Sequence, residues 1–158
     1  MSYNFNADEI FEIAEQIERN GAIFYRTAAE NITDEDKKKL LIHLAEMEDD
    51  HEKTFKTLRD ELSENEKTMT TFDPEDETAD YLRLLADTRV FYEKEVDVTS
   101  LNEVFKTAIT AEKDSIVFYL GMKNIVPSHQ GKNWLDIIIK EEMDHIRILS
   151  KELLELTK

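Results

Sequence analysis

The chain contains no cysteine, and that absence removes several classes of chemistry at once. Without thiols there is no disulfide framework, no thiolate nucleophile, no iron-sulfur cluster and no cysteine-ligated zinc. Helix-interrupting residues are also scarce, with two prolines and three glycines in 158 residues. Leu, Glu, Lys, Ala and Ile dominate the periodic segments instead, and this composition predicts long helices.

Basic residues and long apolar runs are the other shortages. Twenty lysines and arginines stand against 36 aspartates and glutamates, which gives a formal net charge of -16. Nucleic acid and anionic membrane surfaces would repel such a chain, so neither is expected as a partner. No segment approaches the roughly 18 apolar residues of a membrane span, and the N-terminus does not resemble a secretion signal. The sequence therefore predicts a cytoplasmic protein.

Capping residues and apolar periodicity divide the chain into four long predicted helices. Asn6 and Ser100 are each followed three residues later by a glutamate, which predicts capping boxes for the first and third helices. The NITDED and PSHQG segments supply the two short turns. The predicted limits are Asn6 to about Asn31, about Asp34 to Ser63, Ser100 to Pro127, and about Lys132 to the C-terminus.

A crossover of about 37 residues joins the second and third helices, and it is too long for a structureless link in a compact domain. Asp73-Pro74 predicts a helix start, and apolar spacing predicts a short extra helix. The predicted fold class is therefore all-α, a ferritin-like four-helix bundle with a long crossover carrying a short extra helix between the second and third long helices. The apolar residues of the extra helix are Tyr81, Leu82, Leu84, Leu85 and Val90.

The two helical hairpins are related by an internal repeat. A shift of 94 residues brings many identical residues into register across both hairpins. The sequence therefore predicts one domain, 1–158, built from two pseudo-repeats of about 6–63 and 100–157. The matched pairs include Phe11 with Phe105, Glu18 with Glu112, Tyr25 with Tyr119, Glu48 with Glu142, and His51 with His145.

Each long helix carries one glutamate inside its apolar seam, the row of residues at alternating three- and four-residue spacing. On the second and fourth helices, a histidine follows that glutamate in a Glu-x-x-His pattern. Glu46 and Asp49 fall on other faces and are expected in solvent, and Asp50 has no assigned role. The six inward residues are Glu18, Glu48, His51, Glu112, Glu142 and His145.

Four carboxylates converging in a core need compensation, because burial and mutual repulsion both oppose their ionisation. None of the seam positions is lysine or arginine. Two divalent ions would balance the four charges, with neutral imidazoles completing the coordination shell. Oxygen and nitrogen ligands without sulfur favour iron, and manganese or zinc suits the same set. The pattern matches the known arrangement of di-iron bundles.

These residues, with the crossover sequence ADYLRLLADTRVF, resemble the ferritin-like domain of the rubrerythrin family, especially its stand-alone members without a rubredoxin domain. The resemblance spans essentially the whole chain. It implies that the four glutamates are iron ligands and that His51 and His145 are the terminal nitrogen ligands. It also favours hydrogen bonds from Tyr25 and Tyr119 to ligand carboxylates; core aromatics with satisfied hydroxyls are the alternative.

Two departures from the family pattern bear on function. The chain lacks the cysteines of a single-iron relay domain, so an external electron donor such as a rubredoxin or its reductase is expected. Ser115 stands where rubrerythrins commonly place an extra glutamate. The resulting symmetric set also occurs in bacterioferritins and manganese catalases. Gly21 and Ser115 are matching small residues, which either leave space for an oxygen species or permit tight helix packing.

The leading functional hypothesis is a non-haem di-iron oxidoreductase that reduces hydrogen peroxide or dioxygen in oxidative-stress defence. The first alternative is a ferroxidase that feeds iron storage. The second is a non-catalytic metal-binding bundle. The fourth predicted helix is not followed by the additional C-terminal helix of cage-forming ferritins, so a homodimer is expected. His43 and His129 lack partner spacing and are expected at the surface or in a loop.

Overall fold

The computed structural model describes residues 6–64, 81–82, 84–85, 97–124, 126 and 129–158. Within these ranges the ordered elements are helices and there is no strand, which confirms the all-α prediction. The predicted start of the fourth helix differs, since that helix already begins at His129. The long helices are α1 (Ala7–Glu30), α2 (Glu35–Asp60), α3 (Leu101–Lys123) and α4 (His129–Leu156).

The helix starts show why the polypeptide enters each helix where it does. The Asn6 side chain accepts the Glu9 N–H at 2.9 Å, and the Glu9 carboxylate accepts the Asn6 N–H at 3.3 Å, so the first capping box is complete. Ser100 forms only half of its predicted box. Its hydroxyl accepts the Glu103 N–H at 3.4 Å, but its own N–H donates to the Asp97 carbonyl at 3.1 Å. The preceding turn already uses that donor.

The crossover contributes to the bundle at its described residues. Residues 81–82 and 84–85 are helical, and Leu82 is fully buried. A Cβ built on Gly121 of α3 would lie 2.8 Å from Leu82 Cδ2. The glycine therefore permits a close approach of the crossover to α3. The predicted helix start at Asp73-Pro74 and the residue Val90 lie outside the described residues. The third helix, predicted to extend to Pro127, ends earlier, at Lys123.

The helices pack as two hairpins, α1 on α2 and α3 on α4, with further contacts between α1 and α3 and between α2 and α4. The residues predicted at three- and four-residue spacing along the four seams are buried, except Leu62, which is half-buried. They are Phe11, Ala14, Glu18, Gly21, Tyr25, Ala28 and Ile32; Leu41, Leu44, Glu48, His51, Phe55, Leu58 and Leu62; Phe105, Ala108, Glu112, Ser115, Tyr119, Met122 and Val126; and Leu135, Ile138, Glu142, His145 and Leu149. The apolar seam residues form two layers, each with contributions from all four helices. The polar seam residues lie between these two layers along every helix. The apolar layers on either side therefore shield the middle of the bundle from water. No helix in the described part of the chain is long and apolar enough to cross a bilayer.

Candidate metal centre

The six predicted ligand residues meet in one layer between the two apolar layers. Each is at most 3% exposed. Their candidate ligand atoms form two groups, and within each group the atoms lie within 4.8 Å of one another. Glu48 and Glu142 belong to both groups, so these two carboxylates lie between the others. The groups are Glu18, Glu48, His51 and Glu142, and Glu48, Glu112, Glu142 and His145.

Both histidines direct Nδ1 into the carboxylate layer. His51 Nδ1 lies 2.9 Å from Glu142 Oε1 and 3.3 Å from Glu18 Oε2. His145 Nδ1 lies 3.1 Å from Glu142 Oε2 and 3.3 Å from Glu48 Oε1. The two rings are nearly parallel, with centroids 5.9 Å apart and an interplanar angle of 22°. The two imidazoles therefore present equivalent nitrogens to a shared central region.

The polar atoms of this layer test whether a cation fits. Glu48 Oε1, Glu112 Oε2, both Glu142 oxygens and His145 Nδ1 are buried, and none has a hydrogen-bond partner among the described residues. Several approach one another closely, but not with the geometry of a hydrogen bond. Buried polar atoms left in this way are costly. Atoms that converge on a common region, without bonding to one another, fit metal coordination.

A fifth buried glutamate shows what ordinary compensation looks like in this bundle. Glu15 is 5% exposed, and its carboxylate accepts a hydrogen bond from Arg59 Nη1 at 2.9 Å. Within the described ranges, the four seam glutamates form ion pairs with His51 and His145 and not with lysine or arginine. The donor set of carboxylate oxygens and imidazole nitrogens suits iron, manganese or zinc. The residues present therefore fit metal ions as the missing positive charge.

The layer retains protons when no cation balances it. Burial, followed by repulsion from Glu142, raises the pKa of Glu112 to about 8. Burial is also the largest cause that raises the pKa of Glu48 well above its ordinary value. Burial alone would lower the pKa of His145, but the close carboxylates of the layer outweigh it and raise that pKa to about 12. Metal binding must therefore displace protons from these groups.

The two predicted tyrosines each hold one of the candidate ligands. Tyr25 Oη donates a hydrogen bond to Glu112 Oε1, and Tyr119 Oη donates one to Glu18 Oε1. Each tyrosine thus contacts the glutamate of the other helix: Tyr25 of α1 bonds Glu112 of α3, and Tyr119 of α3 bonds Glu18 of α1. Burial is the largest cause that raises the pKa of both hydroxyls well above the ordinary value, so both stay protonated donors.

Removing one tyrosine hydroxyl is expected to weaken metal binding without unfolding the protein. Tyr119→Phe deletes the donor to Glu18, and loss of such an orienting hydrogen bond typically lowers metal affinity about 10–100-fold. A Zn²⁺ titration followed by calorimetry measures the change. Tyr81→Phe is the matched control, since Tyr81 is 45% exposed in the crossover. Unchanged affinity in Tyr119→Phe would assign the tyrosine to core packing alone.

The remaining residues singled out in the sequence lie away from the layer. Glu46 and Asp50 are exposed, as are His43 and His129. Asp49 is partly exposed and forms an ion pair with an arginine of α1. The segment EMEDDH, residues 46–51, therefore separates by helix face, and Glu48 and His51 are its fully buried residues.

Ser115 and Gly21 are both buried, at matching positions of α3 and α1. The Ser115 hydroxyl donates to the Ala111 carbonyl at 3.0 Å, within its own helix. Its hydrogen bond is thus made to helix backbone. The choice between space for an oxygen species and tight packing at these two positions stays a prediction.

Sequence reasoning missed two residues that contact the outer nitrogens of the histidines. His51 Nε2 lies 2.7 Å from Glu141 Oε2, and His145 Nε2 lies 3.4 Å from Met47 Sδ. Each of the two residues immediately precedes a predicted ligand glutamate, and they are related by the same shift of 94 residues. Comparing the positions at which the two repeats differ, and not only those at which they are identical, could have identified Glu141 and Met47.

Comparison with known proteins supports the fold. No family model matches this chain, and no curated protein matches it. Among solved structures, it is similar to a Thermotoga maritima protein described as a candidate ferritin-like diiron-carboxylate protein. The two share 25% sequence identity, the match covers 96% of each chain, and the TM-score is 0.72. With the helices described above, this likeness establishes a ferritin-like four-helix bundle.

Proposed function

We propose that this chain is a non-haem di-iron oxidoreductase, similar to the rubrerythrin family, that reduces hydrogen peroxide or dioxygen. One observation carries the proposal: two groups of buried oxygen and nitrogen ligands share Glu48 and Glu142. Two adjacent ions can share a carboxylate ligand, because a carboxylate has two oxygens and can bridge them. The similar Thermotoga maritima protein, described as a candidate diiron-carboxylate protein, supports iron as the metal.

The proposed roles of the six residues follow from the two groups. Glu48 and Glu142 would bridge the ions. Glu18 and His51 would be terminal ligands on one side, and Glu112 with His145 would be terminal ligands on the other. Four carboxylates balance two divalent ions, so the buried layer becomes neutral on loading. Manganese or zinc could occupy the same positions, since the donor atoms suit them too.

A di-iron group held by these residues would supply, on oxidation from ferrous to ferric, the two electrons that with two protons convert hydrogen peroxide into two water molecules. The chain's own residues do the rest. Tyr25 and Tyr119 hold Glu112 and Glu18 in place as terminal ligands. The apolar layers above and below exclude bulk water, which limits side reactions of bound oxidant.

We further propose an electron donor, a cellular location and an oligomeric state for this activity. The chain has no cysteine to build an iron relay of its own, so a separate donor, such as a rubredoxin or its reductase, would return the ions to the ferrous state. A cytoplasmic homodimer acting in oxidative-stress defence is the setting we propose. Light scattering of the purified protein tests the dimer directly.

The proposed activity predicts rapid oxidation of the ferrous-loaded protein by hydrogen peroxide. Because the two ligand groups share Glu48 and Glu142, both electrons would be available to one peroxide molecule. We expect oxidation faster than that of free ferrous ion, followed by return to ferrous iron on addition of a reductant, over repeated cycles. Anaerobic stopped-flow absorbance measures this, with Glu142→Ala as the inactive control.

The same experiment separates the alternatives. Oxidation no faster than that of free ferrous ion contradicts the proposal and leaves a non-catalytic metal-binding bundle. Ferric iron that accumulates beyond two ions per chain, in assemblies of hundreds of kilodaltons, indicates a ferroxidase that feeds storage. The symmetric ligand set, with Ser115 in place of an extra glutamate, makes the ferroxidase the stronger of these two alternatives.

A further inference from the structure

The two halves of the metal centre differ where their histidines face outward. Glu141 and Met47 occupy matching positions of the repeat, yet one is an acid and the other a thioether. Glu141 Oε2 lies 2.7 Å from His51 Nε2, and Met47 Sδ lies 3.4 Å from His145 Nε2. The six ligand residues are symmetric under the repeat, so this pair breaks the symmetry next to them.

The difference acts on the histidines through their hydrogen bonds. Both rings turn Nδ1 toward the carboxylate layer, so Nε2 carries the hydrogen when Nδ1 binds a metal. A carboxylate accepts that hydrogen strongly, whereas a thioether sulfur is a weak acceptor. A strong acceptor at the outer nitrogen fixes the ring orientation and tautomer and makes the inner nitrogen a better metal ligand. His51 has this support and His145 does not.

We propose that the two metal positions are inequivalent, and that the position formed by Glu18 and His51 fills before the position formed by Glu112 and His145. Glu141 is the positioning residue that produces the preference. This inference rests on the proposed dinuclear site and adds an order of loading to it. Loss of an outer-shell partner typically lowers metal affinity about 10–100-fold, which sets the expected size of the preference.

Exposure of the two positioning residues makes them suitable for mutation. The Glu141 side chain is 42% exposed, and Met47 is half-buried. Exchanging either side chain therefore changes the partner of one histidine without opening the apolar layers. Glu141→Met makes both outer partners thioethers, and Met47→Glu makes both carboxylates. Either variant restores the symmetry of the repeat.

The test uses Zn²⁺ as the probe and nuclear magnetic resonance of histidine labelled with ¹⁵N in the full chain. Stepwise affinities alone do not suffice, because repulsion between two bound ions produces two steps even at identical positions. The fraction of each histidine ring that has Zn²⁺ bound does distinguish identical from inequivalent positions. At one equivalent of Zn²⁺, we expect the bound signal of His51 to exceed that of His145 by about tenfold or more. The exposed His43 and His129 serve as internal references.

The variants then assign the cause. Glu141→Met and Met47→Glu are each expected to bring the two occupancies close to equal. Glu46→Gln alters an exposed acid beside Met47 and is expected to keep the wild-type preference. Equal occupancy in the wild type, or a preference that survives Glu141→Met, overturns the inference while leaving the dinuclear site intact. Binding of fewer than two Zn²⁺ per chain by calorimetry overturns the dinuclear site itself.

Discussion

Glu142→Ala is expected to cost the protein both bound metal ions, whereas Glu18→Ala costs only one. The reason is geometric: Glu142 belongs to both ligand groups, and Glu18 belongs to one. Glu48→Ala should match Glu142→Ala, and Glu112→Ala should match Glu18→Ala. Metal content after loading with ferrous iron and removal of excess, measured by plasma emission spectroscopy, gives the ratio of ions to chain for each variant.

The control for these variants is Glu15→Ala. Glu15 is also a buried glutamate of α1, but it pairs with Arg59 and does not reach the metal layer. Its variant should keep the full metal content. Circular dichroism shows whether each variant remains helical. Unchanged metal content in Glu142→Ala would contradict the assignment of the layer as the metal site.

Metal loading is expected to produce a large increase in thermal stability. Only the folded state brings the two ligand groups together, so each ion at about a thousandfold excess over its Kd adds about 4 kcal/mol to the free energy of unfolding. Two ions together would raise the melting temperature by about 15–30 °C for a domain of this size. Differential scanning calorimetry of the metal-free and loaded protein measures the increase.

The pH dependence of that increase follows from the protons held by the metal-free layer. The metal-free protein binds more protons than the loaded protein, since the pKa of Glu112 is about 8 and that of His145 about 12 without a cation. Binding releases protons, so lowering the pH through 8 weakens binding and shrinks the stabilisation. The melting-temperature difference should therefore fall steadily from pH 8 to pH 6. A difference that grows toward pH 6 contradicts this account, and Glu142→Ala should show no difference at any pH.

The helices and the inward residues could be predicted because their signals are local. Capping at Asn6 and a three-four spacing of apolar residues act within one helix, where 3.6 residues per turn fixes which side chains share a face. The same spacing placed Glu48 and His51 on the inward face and Glu46 outside it, and the structure agrees. The repeat then extended the pattern to the second hairpin.

Contacts between residues on different helices could not be predicted from the spacing within one helix. Which carboxylates lie at the shared centre depends on the axial offset of the helices, and no single-helix pattern reports that offset. The tyrosine contacts show the same limit: Tyr25 pairs with Glu112 rather than with Glu18 of its own helix. The contact between His51 and Glu141 is also interhelical, between α2 and α4. It was missed because Glu141 lies outside the α4 seam.

The most direct test of the central claim is anomalous diffraction from crystals of the iron-loaded protein, collected at the iron absorption edge. We expect two peaks about 3.5–4 Å apart, the usual separation of paired metal ions, with Glu48 and Glu142 between them. A single peak in the layer, or iron bound only elsewhere on the protein, would contradict it.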